Sequence, residues 1–373
     1  MRHHWSFDPN VTQLNHGSFG AVPNAVRRVQ REWQAIFDAN PTGFVDDRYQ
    51  DELDRARTVL AAFVGAAPSG LVFVPNTTAG VASVVGSLGL ERDDEIVITD
   101  HTYNAVRNIV DVATSLAGGR MVTASIRFPD ASENQTVEAV LAAVTERTRL
   151  VIIDHITSPT ALVLPVERIV QALEPDVPVL VDGAHAPGMV PLAVDRLRTS
   201  FYTGNLHKWV CAPPGAAFLV AGDRYRHTVR PPVVSHGWNT PDGTRSLFHR
   251  LFDWTGTFDP SAWLSVPAAI EFMASLHPDG WAGVMKANRR LALDARRLLC
   301  DRLRVDVPAP EEMIGSMAAL PVGSRPGTAE RLRQEGIVVP FPPWPTPDTH
   351  LVRISAQLYN TLDDYRRLAS ALD

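Results

Sequence analysis

Lysine is almost missing from this chain of 373 residues: Lys208 and Lys286 are the two among 35 basic residues, and arginine supplies the rest. Any chemistry that needs an amine therefore has two candidates. Cysteine is equally scarce, and Cys211 and Cys300 lie far apart. That spacing excludes a disulfide scaffold and a CxxC zinc ribbon, leaving two ordinary buried thiols. No stretch reaches the roughly 18 uninterrupted apolar residues of a membrane span, and Met1-Arg-His-His-Trp-Ser lacks the apolar core of a secretory signal. No membrane partner and a cytoplasmic setting are expected. A basic stripe is also missing, because the net charge is −6, so no nucleic-acid partner is expected.

Apolar residues make up 45% of the chain, with no low-complexity block, which predicts folding nearly end to end. Residues 21–39 carry Val26, Val29, Trp33, Ile36 and Phe37 at helical spacing, and Asn40-Pro41 stops that helix. A second stripe, Leu53, Ala56, Leu60 and Phe63, ends at Gly65. The pattern then changes to short apolar runs at 71–74, 95–99, 121–126, 150–154, 177–182, 201–203 and 216–220. Several of these alternate with helical patterns at 78–88, 103–116, 136–144 and 166–173, the rhythm of a mostly parallel α/β sheet. The stretches around Pro231-Pro232 and Pro241-Asp242-Gly243 read as irregular. Beyond them come helical patterns at 262–276 and 280–303, strands at 336–339 and 351–355, and a closing helix from Leu362. A proline-rich loop spans 340–347.

Three strand ends carry the chemistry. In Phe201-Tyr-Thr-Gly-Asn-Leu-His-Lys-Trp209 a strand runs into a turn that presents Lys208, an amine able to form an imine with an aldehyde if its pKa is lowered. In Val179-Leu-Val-Asp-Gly-Ala-His185, Asp182 stands at the carboxyl end of an apolar strand, where open α/β sheets place ligands. A carboxylate there suits a protonated pyridine nitrogen. A metal is disfavoured, because His185 has no third ligand at recognisable spacing. In Leu71-Val-Phe-Val-Pro-Asn-Thr-Thr-Ala-Gly80 a strand, a turn and a hydroxyl-rich helix start make a phosphate-binding arrangement. Together they supply contacts for phosphate, ring nitrogen and aldehyde carbon, the needs of pyridoxal 5′-phosphate (PLP).

Six ordered motifs extend this reading over nearly the whole chain: Leu14-Asn-His-Gly-Ser-Phe-Gly20, Asn76-Thr-Thr78, Asp100-His-Thr-Tyr-Asn-Ala105, Val181-Asp-Gly-Ala-His-Ala-Pro-Gly188, Gly204-Asn-Leu-His-Lys-Trp209 and Val352-Arg-Ile-Ser-Ala-Gln-Leu-Tyr-Asn360. The chain resembles the isopenicillin N epimerase-like branch of the class V aminotransferases, PLP enzymes of fold type I. The resemblance implies a large domain with a seven-stranded mixed, mostly parallel sheet over 40–260. A smaller α+β domain would be built from 1–39 and 261–373, in a homodimer with shared active sites. It makes Lys208 the lysine that carries the cofactor, Asp182 the partner of the ring nitrogen and His185 the residue facing the phenolic oxygen. Asn76, Thr77, Thr78, Asn205 and His207 would hold the phosphate, joined by Thr257 of the neighbouring subunit. Either His101, also a candidate catalytic residue, or Tyr103 would stack on the ring. Asn15, His16 and Arg353 would bind substrate, Arg353 by its α-carboxylate.

Cysteine desulfurases of the superfamily carry a nucleophilic cysteine shortly before that arginine, and residues 335–353 contain none. Persulfide chemistry is therefore not expected. The expected reaction is Cβ–S cleavage of an S-substituted cysteine in specialised metabolism; epimerisation, decarboxylating oxidation and transamination are the alternatives. A non-catalytic binding protein on the same fold would not need these positions together.

Overall fold

The computed structural model of the protein describes residues 1–240, 243 and 245–372; Pro241 and Asp242, where an irregular stretch was expected, lie outside them. Eleven strands form among the described residues: β1 (Thr12–Gln13), β2 (Leu71–Val74), β3 (Glu95–Thr99), β4 (Arg120–Ala124), β5 (Thr148–Asp154), β6 (Val179–Asp182), β7 (Phe201–Asn205), β8 (Ala217–Ala221), β9 (Met317–Gly323), β10 (Ile337–Val338) and β11 (His350–Ser355). Strands β2 to β8 make one seven-stranded sheet in the order β2-β8-β7-β6-β5-β3-β4. Strand β8 runs antiparallel to both neighbours, and every other pairing is parallel.

The uninterrupted apolar runs of these strands follow from burial on both faces. Along β5, Leu150 and Ile152 enter one core cluster while Val151 and Ile153 enter the other, and Leu180 and Val181 of β6 divide the same way. The period of two thus feeds two cores, with the crossover helices Asn104–Ala117, Glu133–Ala142 and Val166–Leu173 between strands. All parallel strand ends therefore reach the same sheet edge, where the strand-end residues collect.

Both chain ends meet outside this sheet. Strand β1 pairs in parallel with β10, and β11 pairs antiparallel with β9. Strand β9 was not anticipated, because Ala318, Ala319 and Pro321 are poor strand formers; it exists through its ladder to β11. The helix expected over 262–276 is two helices, Ser261–Leu264 and Val266–Ser275, parted at Ser265, with Pro267 in the first turn of the second. The stop at Asn40-Pro41 also starts a further helix, Pro41–Asp47, whose N-cap Asn40 accepts a hydrogen bond from the Gly43 N–H.

The segment Leu14–Gly20 links the two regions. The Ser355 N–H donates to the Leu14 carbonyl, the Gly17 N–H donates to Ser355 Oγ, and Gly20 then turns against the loop that follows β7. Gly20 has φ +72°, and a Cβ there would fall 1.7 Å from the carbonyl oxygen of His207. Gly20→Ala is expected to lower stability by about 3 kcal/mol, combining overpacking with left-handed backbone strain, and to push the Lys208 turn aside. Chemical denaturation reads the loss, and an unchanged midpoint would refute the close approach.

Candidate active site

The three strand-end signals converge on one cavity of about 300 Å³, lined by Ser18, Phe19, Asn76, Thr77, Thr78, Tyr103, Asp154, Ser158, Asp182, Ala184, His185, Asn205, His207 and Lys208. Its floor is the carboxyl edge of β5, β6 and β7. One wall is the N-terminus of the helix Thr77–Val85, capped by Asn76, whose Oδ1 accepts from the Ala79 N–H at 2.9 Å. Asn205 Oδ1 accepts from the Thr77 N–H at 3.0 Å and ties this helix start to the end of β7. The helix sits close to β7 because Gly80 faces it; a Cβ there would meet Thr203 Oγ1 at 2.3 Å.

Lys208 Nζ lies 3.0 Å from His185 Nε2. Burial, then the Arg353 guanidinium, push the Lys208 amine down to about 7, against the pull of Asp182 and Asp154. His185 is itself held well below its ordinary value by burial, then by Lys208, and so is neutral. Burial raises the Asp182 carboxyl, opposed by the Ala184 N–H, which donates to Oδ1 at 2.9 Å, and by Lys208. An amine discharged near neutrality beside a carboxylate is equipped to attack a carbonyl and to move protons.

The residues expected to bind substrate lie behind this cavity. His16 is buried and touches the backbone of the Lys208 turn: its Nε2 is 2.9 Å from the Lys208 carbonyl and its Nδ1 is 3.0 Å from Tyr359 Oη. A carbonyl only accepts, so Nε2 carries the hydrogen and the Tyr359 hydroxyl donates to Nδ1. His16 is a brace for Lys208 and offers no free polar atom to a substrate. Arg353 on β11 is 5% exposed and does not itself line the cavity. It donates to the Ser158 carbonyl at 2.5 Å, to Ser158 Oγ at 3.2 Å, to Ser18 Oγ at 2.9 Å and to Asn15 Oδ1 at 3.4 Å. Its Nε has no partner, and among the described residues no carboxylate pairs with it. Burial lowers its pKa to about 10, so it stays a cation at neutral pH.

Of the two candidate stacking rings, the structure brings Tyr103 to the cavity wall and leaves His101 outside it. His101 is fully buried beneath the loop 340–347: Nε2 donates to the Ile126 carbonyl at 3.0 Å, Nδ1 is 2.6 Å from Thr160 Oγ1, and its ring packs edge-on against Trp344. Both nitrogens are consumed by the scaffold, which removes it from the reacting groups. Thr257 is exposed and does not line this cavity. Lys286 is exposed on the helix Gly280–Leu303.

Sequence reasoning missed Asp154, Ser18, Phe19 and Ser158. Asp154 carried the same signal as Asp182, an aspartate closing an apolar strand. Ser18 and Phe19 lay inside a motif already singled out.

The cavity fits a flat phosphorylated pyridine. The buried Thr77 Oγ1, His185 Nδ1 and His207 Nδ1 have no partner, and all three residues line it. A helix N-terminus offers an anion site at one part of the wall and Asp182 a carboxylate at another.

Residues 25–340 match the family model described as aminotransferase class-V. The isopenicillin N epimerase of Streptomyces clavuligerus is 35% identical over 98% of this chain and 95% of its own length. A probable chloroplastic L-cysteine desulfhydrase of Arabidopsis thaliana is 29% identical over 98% of this chain and 83% of that protein. Among solved structures, a variant of the cystine C–S lyase C-DES with glycine covalently linked to its PLP cofactor superimposes with a TM-score of 0.84. That match covers 100% of this chain and 98% of the other at 20% identity.

The depressed Lys208 value has a direct consequence. An amine with a lowered pKa is mostly protonated below that value and free above it. Labelling of Lys208 by an aldehyde and cyanoborohydride in cofactor-free protein is expected to rise with a midpoint near pH 7, against ~10.4 for an ordinary lysine. Peptide mapping at a series of pH values measures it; a midpoint near the ordinary value would refute the desolvated site.

Proposed function

The chain belongs to the class-V aminotransferase family, and on that premise we propose that it is a lyase cleaving the Cβ–S bond of an S-substituted cysteine in specialised metabolism. Its cofactor is PLP. When bound, PLP supplies the electron sink that makes the Cα proton of an amino acid removable. The protein's residues do the rest. Lys208 would hold the cofactor, and its neutral amine would take the Cα proton. Asp182 would keep the ring nitrogen protonated and His185 would face the phenolic oxygen. Asn76, Thr77, Thr78, Asn205 and His207 would hold the phosphate, with Thr257 of the partner subunit. Tyr103 would stack on the ring.

The observation that carries this reading is Arg353. A buried guanidinium without a counter-ion is costly to fold, and here it stands behind Ser18 and Ser158 beside a cavity that holds a discharged amine. A substrate α-carboxylate is the missing counter-ion. Elimination of a thiolate from Cβ then uses Lys208 as the base and gives the thiol and 2-aminoacrylate, which takes up one water to yield pyruvate and ammonia. A cysteine nucleophile is not required: Cys211 is buried with its thiol pushed far up by burial, and Cys300 is buried in a helix.

A second reading is favoured by a specific observation. The 35% identity to an isopenicillin N epimerase exceeds the 29% identity to the desulfhydrase. The same proton removal by Lys208, followed by return of a proton to the other face of Cα, gives epimerisation. Incubation with a panel of cysteine conjugates in deuterated water separates the two. Free thiol and pyruvate are expected; substrate recovered with inverted, deuterated Cα and no thiol would overturn the lyase reading in favour of the epimerase.

Two variants test the site itself. Arg353→Lys is expected to reduce kcat/KM for the amino acid substrate by about 30- to 1,000-fold, or ~2–4 kcal/mol, because a lysine cannot make two parallel bonds to a carboxylate. The visible absorption of the lysine-bound cofactor should not change, and unaltered kcat/KM would refute the carboxylate role. Mixing inactive Lys208→Ala with inactive Thr257→Ala subunits is expected to restore some activity, since a mixed dimer holds one site with both residues intact. No recovery despite demonstrated subunit exchange would rule out a shared site.

A further inference from the structure

One buried acid has no part in this scheme. Asp154 closes β5 as Asp182 closes β6, and the two are direct partners in the parallel ladder. Neighbouring strands lie about 4.8 Å apart and partners in register turn their side chains to the same face. Both aspartates line the cavity, and both are almost sealed, at 3% and 4% exposure. Asp182 accepts the Ala184 N–H, whereas Asp154 Oδ2 has no hydrogen-bond partner.

The charges around the pair do not balance if both are ionised. Facing Asp154 are Asp182 from β6, the Thr102 hydroxyl from the loop after β3, and Lys208 from the turn after β7. Asp182 faces the Ala184 N–H and Lys208. Arg353 acts on Lys208 and His185, and the neutral His185 adds no charge. Among the described residues Lys208 is thus the only cation acting on either carboxylate, and it is spent when it holds the cofactor. The protonated ring nitrogen then balances one carboxylate, and the second would be an unpaired anion in a sealed site.

We propose that Asp154 stays protonated and donates its O–H to Asp182, so that the two form an acid pair carrying a single negative charge beneath the cofactor ring. The proposal rests on the assignment of Asp182 to the ring nitrogen. Asp154 is then a positioning residue that acts through Asp182: its hydrogen bond spreads the Asp182 charge and relaxes the carboxylate's hold on the ring proton. Burial first, and the Asp182 carboxylate second, push the Asp154 carboxyl well above the ordinary range, in keeping with a neutral acid.

Holoenzyme and cofactor-free protein test the pair separately. In holoenzyme, the pH midpoint of the visible band of lysine-bound cofactor is compared among wild type, Asp154→Asn, Asp154→Ala and Asp182→Asn. An asparagine keeps a neutral donor, so Asp154→Asn is expected to titrate as wild type does. Asp154→Ala leaves Asp182 with undiluted charge and should move the midpoint up, while Asp182→Asn should move it down. A downward shift in Asp154→Asn would mean that Asp154 is ionised in the wild type, and an unmoved midpoint in Asp154→Ala would mean that the two acids are uncoupled; either overturns the proposal.

If Asp182→Asn leaves the midpoint in place, the ring-nitrogen assignment is what fails. The cofactor-free protein then decides the pair alone, and it also decides if Asp154→Ala does not fold. A carboxyl whose pKa is raised by folding loses stability as pH climbs from its unfolded value of ~3.9 toward its folded value. The thermal midpoint of Asp154→Asn should therefore gain on wild type progressively as the pH rises above about 4. A difference that is flat with pH would overturn the protonated acid.

Discussion

The site depends on the balance of charge at the Lys208 amine. Burial and the Arg353 guanidinium oppose its proton, while Asp182 and Asp154 favour it, and the outcome near 7 leaves the amine able to exist in both forms at neutral pH. Removing any of these groups shifts that balance. Four separate chain segments contribute them: the ends of β5 and β6, the turn after β7, and β11. A parallel sheet is what lets three of the four meet, since it delivers the ends of sequentially distant strands to one edge.

The amine also has to be aimed, and the N-terminal segment does this from behind. His16 holds the Lys208 carbonyl, Gly20 allows close approach to His207, and Tyr359 fixes the tautomer of His16. These contacts fix the backbone of the turn and leave the side chain free to engage a carbonyl. The same segment reaches Arg353 through Asn15 and Ser18. Amine and guanidinium are thus positioned by one short stretch of chain.

Under the proposed function, elimination and epimerisation begin identically, with proton removal from Cα by Lys208. They part at the next event, the departure of a group from Cβ or the return of a proton to the opposite face. That choice turns on which bond is aligned with the ring and where the next acid stands, matters of fractions of an ångström. The relatives accordingly include proteins named as isopenicillin N epimerases and as L-cysteine desulfhydrases.

Much of this was legible in the amino-acid order itself. Uninterrupted apolar runs with a period of two inside them mark strands buried on both faces, and an isolated lysine and an aspartate at strand ends mark the sheet edge where the cavity lies. The absence of cysteine over 335–353 narrows the chemistry without any structure. Such signals are local, carried by residue type and spacing. The tertiary structure decided the rest. It placed Tyr103 rather than His101 at the cavity, although the two stand in the same short motif, because hydrogen bonds to Thr160 and Ile126 and the Trp344 ring claim His101. It turned His16 from a substrate contact into a brace. It made β9, whose alanines and proline argue against a strand, by pairing it with β11. Above all it set Asp154 beside Asp182, a juxtaposition that follows from the hydrogen-bond register between β5 and β6 and that no spacing along the chain encodes.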